Sequence, residues 1–151
     1  MDLEHINKTM LTATQESIES LAFAEVYAST DPTPMSSKDC LQVQMDITSP
    51  ASGFFILQAP TAMLEEIAQT LFPATEDLSE TQINDLASEL LNTIGGNFLS
   101  KILPESTSFS LGLPQIMTLT TPDEQDQLSW NFNLDEISFS LYLTGEIVCN
   151  L

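Results

Sequence analysis

Ser79-Glu80-Thr81-Gln82 opens the longest helical pattern in the chain, which runs to about Leu103 and stops before Pro104. A serine followed three residues later by glutamine has capping-box form, in which each side chain satisfies an otherwise orphaned amide of the first turn. Beyond it Ile83, Leu86, Leu90, Ile94 and Phe98 recur every three or four residues and form one apolar stripe. Such a helix is stable only against another apolar surface, and the last third of the chain supplies one. Phe109, Leu111 and Leu113 alternate with polar or small residues, as do Leu128, Trp130, Phe132 and Leu134. Ile137, Phe139, Leu141 and Leu143 repeat that period after a tight turn near Asn133–Glu136.

The first half has the same ingredients. A helical stretch from about Asp2 to Leu21 carries Leu3, Ile6, Met10 and Ala13, and a strand-like segment follows to Ala28 through Phe23, Val26 and Tyr27. Ser29 to Ser37, with Pro32 and Pro34, reads as loop, because proline removes a donor and resists both helix and ladder. Leu41, Val43, Met45 and Ile47 alternate as a half-buried strand, Ser49 to Gly53 forms a turn, and Phe54 to Gln58 returns. Pro60 fits the first turn of a helix reaching Phe72, and Pro73 stops it. The expected fold is α+β: one domain over residues 1–151, an antiparallel sheet with helices packed on it, in two helix-then-strands halves.

Charge narrows the function. The 151 residues hold 22 Asp+Glu against three lysines and no arginine, a formal net charge of −19. Nucleic acid and anionic membranes are recognised by clustered Lys/Arg, so neither is an expected partner. Any phosphoryl chemistry must borrow its cations from elsewhere. Cys40 and Cys149 lack metal-ligand spacing and are expected as ordinary reduced thiols, a disulfide between them being the alternative. The N-terminus has no basic n-region, and no apolar run approaches the roughly 20 residues of a membrane span. A cytoplasmic protein is expected.

On the long helix, with Asp85 set at zero, Glu89 falls at about +40°, Asn92 at about −20° and Gly96 at about +20°. These four form a narrow stripe opposite the apolar one. Carboxylates and amides on an outward face are ordinarily just solvated surface. Gly95 and Gly96 each cost about 0.8–1 kcal/mol relative to alanine in mid-helix. One allows close packing on the sheet; the other admits an approaching backbone.

The wider pattern, Asp85-x3-Glu89-x2-Asn92-x21-Pro114, resembles the signature of the CheC/CheX chemotaxis phosphatases. Its flanks, Ala87 to Asn97 and Leu111-Gly112-Leu113-Pro114, are closest to CheX, as are the single motif copy and the chain length. The resemblance implies a protein substrate, the aspartyl phosphate of a CheY-like response regulator. It implies Asn92 as the residue that orients the attacking water and Glu89 as the partner of the regulator's active-site lysine. An amide suits the first role, since it can donate and accept without placing charge beside the phosphoryl group. Asp85 and Gly96 would belong to the docking surface with Pro114, which shapes that surface rather than taking part in chemistry. No cofactor of the chain's own is implied, Mg²⁺ coming with the regulator, and a homodimer is expected. Flagellar switch proteins such as FliM share this type of fold, so a non-catalytic binding module is the alternative.

Other candidates carry less. Glu4-His5-Ile6-Asn7 repeats the Glu-x2-Asn form but lacks the preceding Asp/Ser and the distant proline. His5 has no nucleophile or acid assembled around it. Asp123, Glu124 and Asp126 read as a solvated acidic loop without EF-hand spacing. Trp130, at an alternating strand position, reads as core.

Overall fold

The structure, a computed structural model, describes residues 2–22, 24–29, 39–72, 77–120 and 127–151. Helix α1 spans Leu3–Ala22 and is followed by β1, Val26–Ala28. Strands β2 (Cys40–Ser49) and β3 (Gly53–Pro60) lead into helices α2 (Thr61–Leu71) and α3 (Glu80–Ile102). Two short strands, β4 (Ser110–Leu111) and β5 (Gln115–Met117), precede the hairpin of β6 (Gln127–Leu134) and β7 (Ile137–Thr144). A 3-10 turn over Glu146–Asn150 ends the chain.

All strand pairs are antiparallel, in the order β1-β6-β7-β3-β2-β4, and β5 also pairs with β2. Alternation sorts the two faces. Val43, Met45, Ile47, Phe55, Leu57, Trp130, Phe132, Phe139, Leu141 and Leu143 are buried and meet the helices. The opposite face is polar, with Gln42, Gln58, Asn131, Ser140 and Tyr142 tied by hydrogen bonds. Helix α3 packs on β2, β3 and β5 and touches both other helices.

Three contacts fix α3 in place. Phe98 is fully buried, edge-on to Phe55 and tilted against Trp130, with ring centroids 6.1 and 6.0 Å away. The Asn97 amide donates to Ser17 Oγ of α1 at 3.1 Å. Gly95 lies where α3 comes closest to the sheet: a Cβ there would stand 2.7 Å from Met45 Cε and 3.1 Å from the Phe55 ring. The expected capping box is present, with Gln82 N–H donating to Ser79 Oγ at 3.1 Å and Ser79 N–H donating to Gln82 Oε1 at 2.9 Å.

The antiparallel α+β architecture agrees with the expectation from sequence, and four local readings are corrected. Phe109, Leu111 and Leu113 do not make one strand: only Ser110–Leu111 pairs, and Leu113 leaves the ladder. Strand β5 and the terminal 3-10 turn were not expected, both being too short to carry a period. Pro60 closes β3 as the N-cap of α2 and does not enter its first turn. The strand expected after α1 begins only at Val26. Phe23, Pro73, most of the Ser29–Ser37 loop and the Asp123–Asp126 loop lie outside the described residues. Cys149 is a free, exposed thiol, so no disulfide joins it to Cys40.

Candidate functional site

Helix geometry alone sends Asp85, Glu89 and Asn92 outward, since their stripe opposes the buried residues Ile83, Leu86, Leu90, Ile94 and Phe98. All three are exposed. What the fold adds is a second wall. Strands β4 and β5 are two pieces of one edge strand against β2: Leu111 pairs with Ile47, and Gln115 with Gln44. Between these pairs, Gly112, Leu113 and Pro114 face only Met45 and Asp46, so the edge carries one residue too many and bulges. Proline explains the break, because Pro114 has no N–H to give the ladder. Gly112 N–H still donates to Asp46 O at 2.7 Å and anchors the near side of the bulge.

The bulge and the helix enclose a depression of about 300 Å³ lined by Asp85, Ser88, Glu89, Asn92, Leu111, Gly112, Leu113 and Pro114. Four residues singled out in the sequence, Asp85, Glu89, Asn92 and Pro114, therefore line one surface feature although Pro114 comes from a different element. Gly96 is not part of the lining. It lies one turn further along the same stripe, and a Cβ there would meet nothing within 4 Å. Ser88, Leu111, Gly112 and Leu113 were missed. The available signal was Pro114 itself, a residue that interrupts an alternating pattern and so marks where an edge strand must bulge.

Chemically the depression is anionic and open. Among the described residues no hydrogen bond or ion pair engages the Glu89 carboxylate or the Asn92 amide; only the Glu89 main-chain carbonyl is used, by Thr93 Oγ1 at 2.9 Å. Both polar side chains are thus available to a ligand. Among the described residues no cation lines the site, and the described lysines, Lys8 and Lys101, sit with His5 on a separate depression. Lys101 is held there by Glu16 at 3.1 Å. Among the described residues no group of three or more His, Cys, Asp or Glu is placed to hold a metal ion. The Glu4–Asn7 segment has a different use, since Asn7 Oδ1 accepts the Trp130 indole N–H at 2.9 Å. None of the described helices is long and apolar enough to cross a membrane.

The fold is similar to that of several solved structures. CheX from Desulfovibrio desulfuricans superposes with a TM-score of 0.72 at 13% identity, covering 92% of this chain and 97% of its own. CheX from Vibrio vulnificus gives 0.73 at 12% identity, with coverage of 92% and 95%. The CheX–CheY–BeF3–Mg²⁺ complex from Borrelia burgdorferi gives 0.64 at 17% identity, with coverage of 91% and 95%. At such identities these likenesses speak to fold. No curated protein matches the sequence at a significant level. The description of chemotaxis phosphatase CheX matches residues 41–129, a span that holds α3, the bulge and the whole depression, and the chain belongs to that family.

Proposed function

We propose that this protein hydrolyses the aspartyl phosphate of a CheY-like receiver domain, with the depression between α3 and the β4–β5 bulge as the site where the receiver docks. The observation that carries this reading is the convergence of Asp85, Glu89, Asn92 and Pro114 on one exposed surface that, among the described residues, has no cation of its own. A site for a free phosphate ester would need positive charge; a site for a protein that brings its own does not. Family membership and the likeness to a CheX bound to CheY support the same substrate.

In this reading Asn92 enters the receiver's active site and holds a water in line with phosphorus. The water oxygen bonds to phosphorus as the acyl P–O bond breaks, leaving the aspartate carboxylate and inorganic phosphate, which keeps the water's protons. Mg²⁺ and lysine of the receiver neutralise the phosphoryl oxygens, so the chain's own contribution is positioning and exclusion of bulk water. Glu89, about 4.5 Å along the helix axis from Asn92, pairs with the receiver's lysine and fixes the register. Asp85, Gly96 and Pro114 belong to the docking surface around them. A homodimer in the cytoplasm completes the proposal.

The test is the decay of a phosphorylated CheY-type receiver from the same organism, alone, with this protein, and with its Asn92→Ala variant. Faster decay that the variant abolishes is the expected result. Binding of the receiver without faster decay would replace this reading with a FliM-like binding module. Acceleration that survives Asn92→Ala would keep the phosphatase and overturn the mechanism.

A further inference from the structure

Leu113 is the most exposed large apolar side chain among the described residues, 87% exposed, and it lines the same depression as Glu89 and Asn92. It is not alone. Ile116 and Met117, 40% and 41% exposed, follow on β5, so three of the six exposed large apolar side chains of the described residues lie within this one edge. Leu113 is also pre-set: Gly112 is tied to Asp46 on one side, and the ring of Pro114 restricts the other. A leucine presented on a restrained bulge loses little freedom when a partner covers it.

We propose that Leu113 is the apolar anchor for the receiver and sets which receivers are accepted, an inference that rests on the phosphatase reading above. Whatever reaches Glu89 and Asn92 must also cover Leu113, because the three line one depression. Beyond the single pair of Glu89 with the receiver's lysine, electrostatics opposes association. The chain carries a net charge of −19, no cation among the described residues lines the site, and a phosphorylated partner adds further negative charge. Short-range burial of apolar surface is what remains, and a leucine at the rim of a partly polar site is the side chain placed to provide it. The accepted receiver therefore presents an apolar recess beside its phosphoaspartate. Leu113 is a docking and specificity residue rather than a catalytic one, since it touches no reacting atom.

Steady-state dephosphorylation of a CheY-type receiver from the same organism tests this with wild type, Leu113→Ala, Leu113→Met and Asn92→Ala. Because Leu113 supports no packing, its variants should keep wild-type circular dichroism and Tm. Leu113→Ala should raise KM about 10- to 100-fold with kcat retained, since the lost interaction serves ground and transition states alike. Leu113→Met should restore KM, while Asn92→Ala should lose kcat. A Leu113→Ala KM within about twofold of wild type, beside an inactive Asn92→Ala, would overturn the anchor and leave the phosphatase standing. If Leu113→Ala instead dissociates a dimer in sedimentation at unchanged KM, the residue serves a second copy and the proposal fails. Absence of acceleration by the wild-type protein would remove both readings.

Discussion

Phe98 stands edge-on to Phe55 at an interplanar angle of 88°, and this contact seats α3 on β3 less than two turns beyond Asn92. The outward stripe of α3 is only as well placed as its buried stripe. Phe98→Ala should destabilise the fold by about 3–5 kcal/mol, as removal of a buried aromatic ring commonly does. Denaturant titration would measure it, and a double cycle with Phe55→Leu should return about 0.5–1.5 kcal/mol of coupling between the rings.

Adjacent glycines should respond with opposite signs. At Gly96 a Cβ meets nothing within 4 Å, so Gly96→Ala should stabilise by about 0.8–1 kcal/mol through helix propensity alone. At Gly95 the same methyl would meet Met45 Cε at 2.7 Å and the Phe55 ring at 3.1 Å, both in the fully buried core. Overpacking of about 1–3 kcal/mol exceeds the propensity gain there, and Gly95→Ala should lower Tm while Gly96→Ala raises it.

Ser79 accepts from Gln82 N–H and so closes the helix that carries the site. Ser79→Ala should cost about 1 kcal/mol in equilibrium unfolding. Gln82→Ala should cost less, because it frees only an exposed amide that water can satisfy.

Glu89→Gln keeps the shape of the side chain and removes its charge. If Glu89 meets the receiver's lysine in a closed interface, the variant should lose about 2 kcal/mol or more, roughly 30-fold in kcat/KM. Substituting the receiver's lysine as well should produce little additional loss, which a double-mutant cycle on dephosphorylation rates would read.

Salt should help rather than hinder. If the partner is the phosphorylated receiver proposed above, long-range repulsion from a chain of −19 should slow encounter. Raising NaCl from about 0.05 to about 0.5 M contracts the screening length severalfold and should lower KM for the receiver. Rising KM across that range would show that attraction between charges dominates docking.

Much of this molecule could be read from local pattern. The capping box at Ser79, the 3.6-residue period of α3 and the two-residue periods of β2, β6 and β7 each arise from neighbours along one element, and the structure keeps all of them. The common face of Asp85, Glu89 and Asn92 follows from about 100° per residue and needs no tertiary information. Its outward direction followed too, because the opposite stripe is apolar.

The other wall of the site was decided only by the folded chain. Pro114 announces that a ladder must break, since it brings no N–H, but not which strand the broken edge lies against. That depends on pairing β4 and β5 with β2, through hydrogen bonds between residues such as Leu111 and Ile47 that no local period encodes. Leu113 shows the consequence: alternation with Phe109 and Leu111 made it a strand residue, and one extra residue in the bulge made it the most exposed leucine of the site. Periodicity determined which side chains of α3 face outward; only the pairing of distant strands determined what stands beside them.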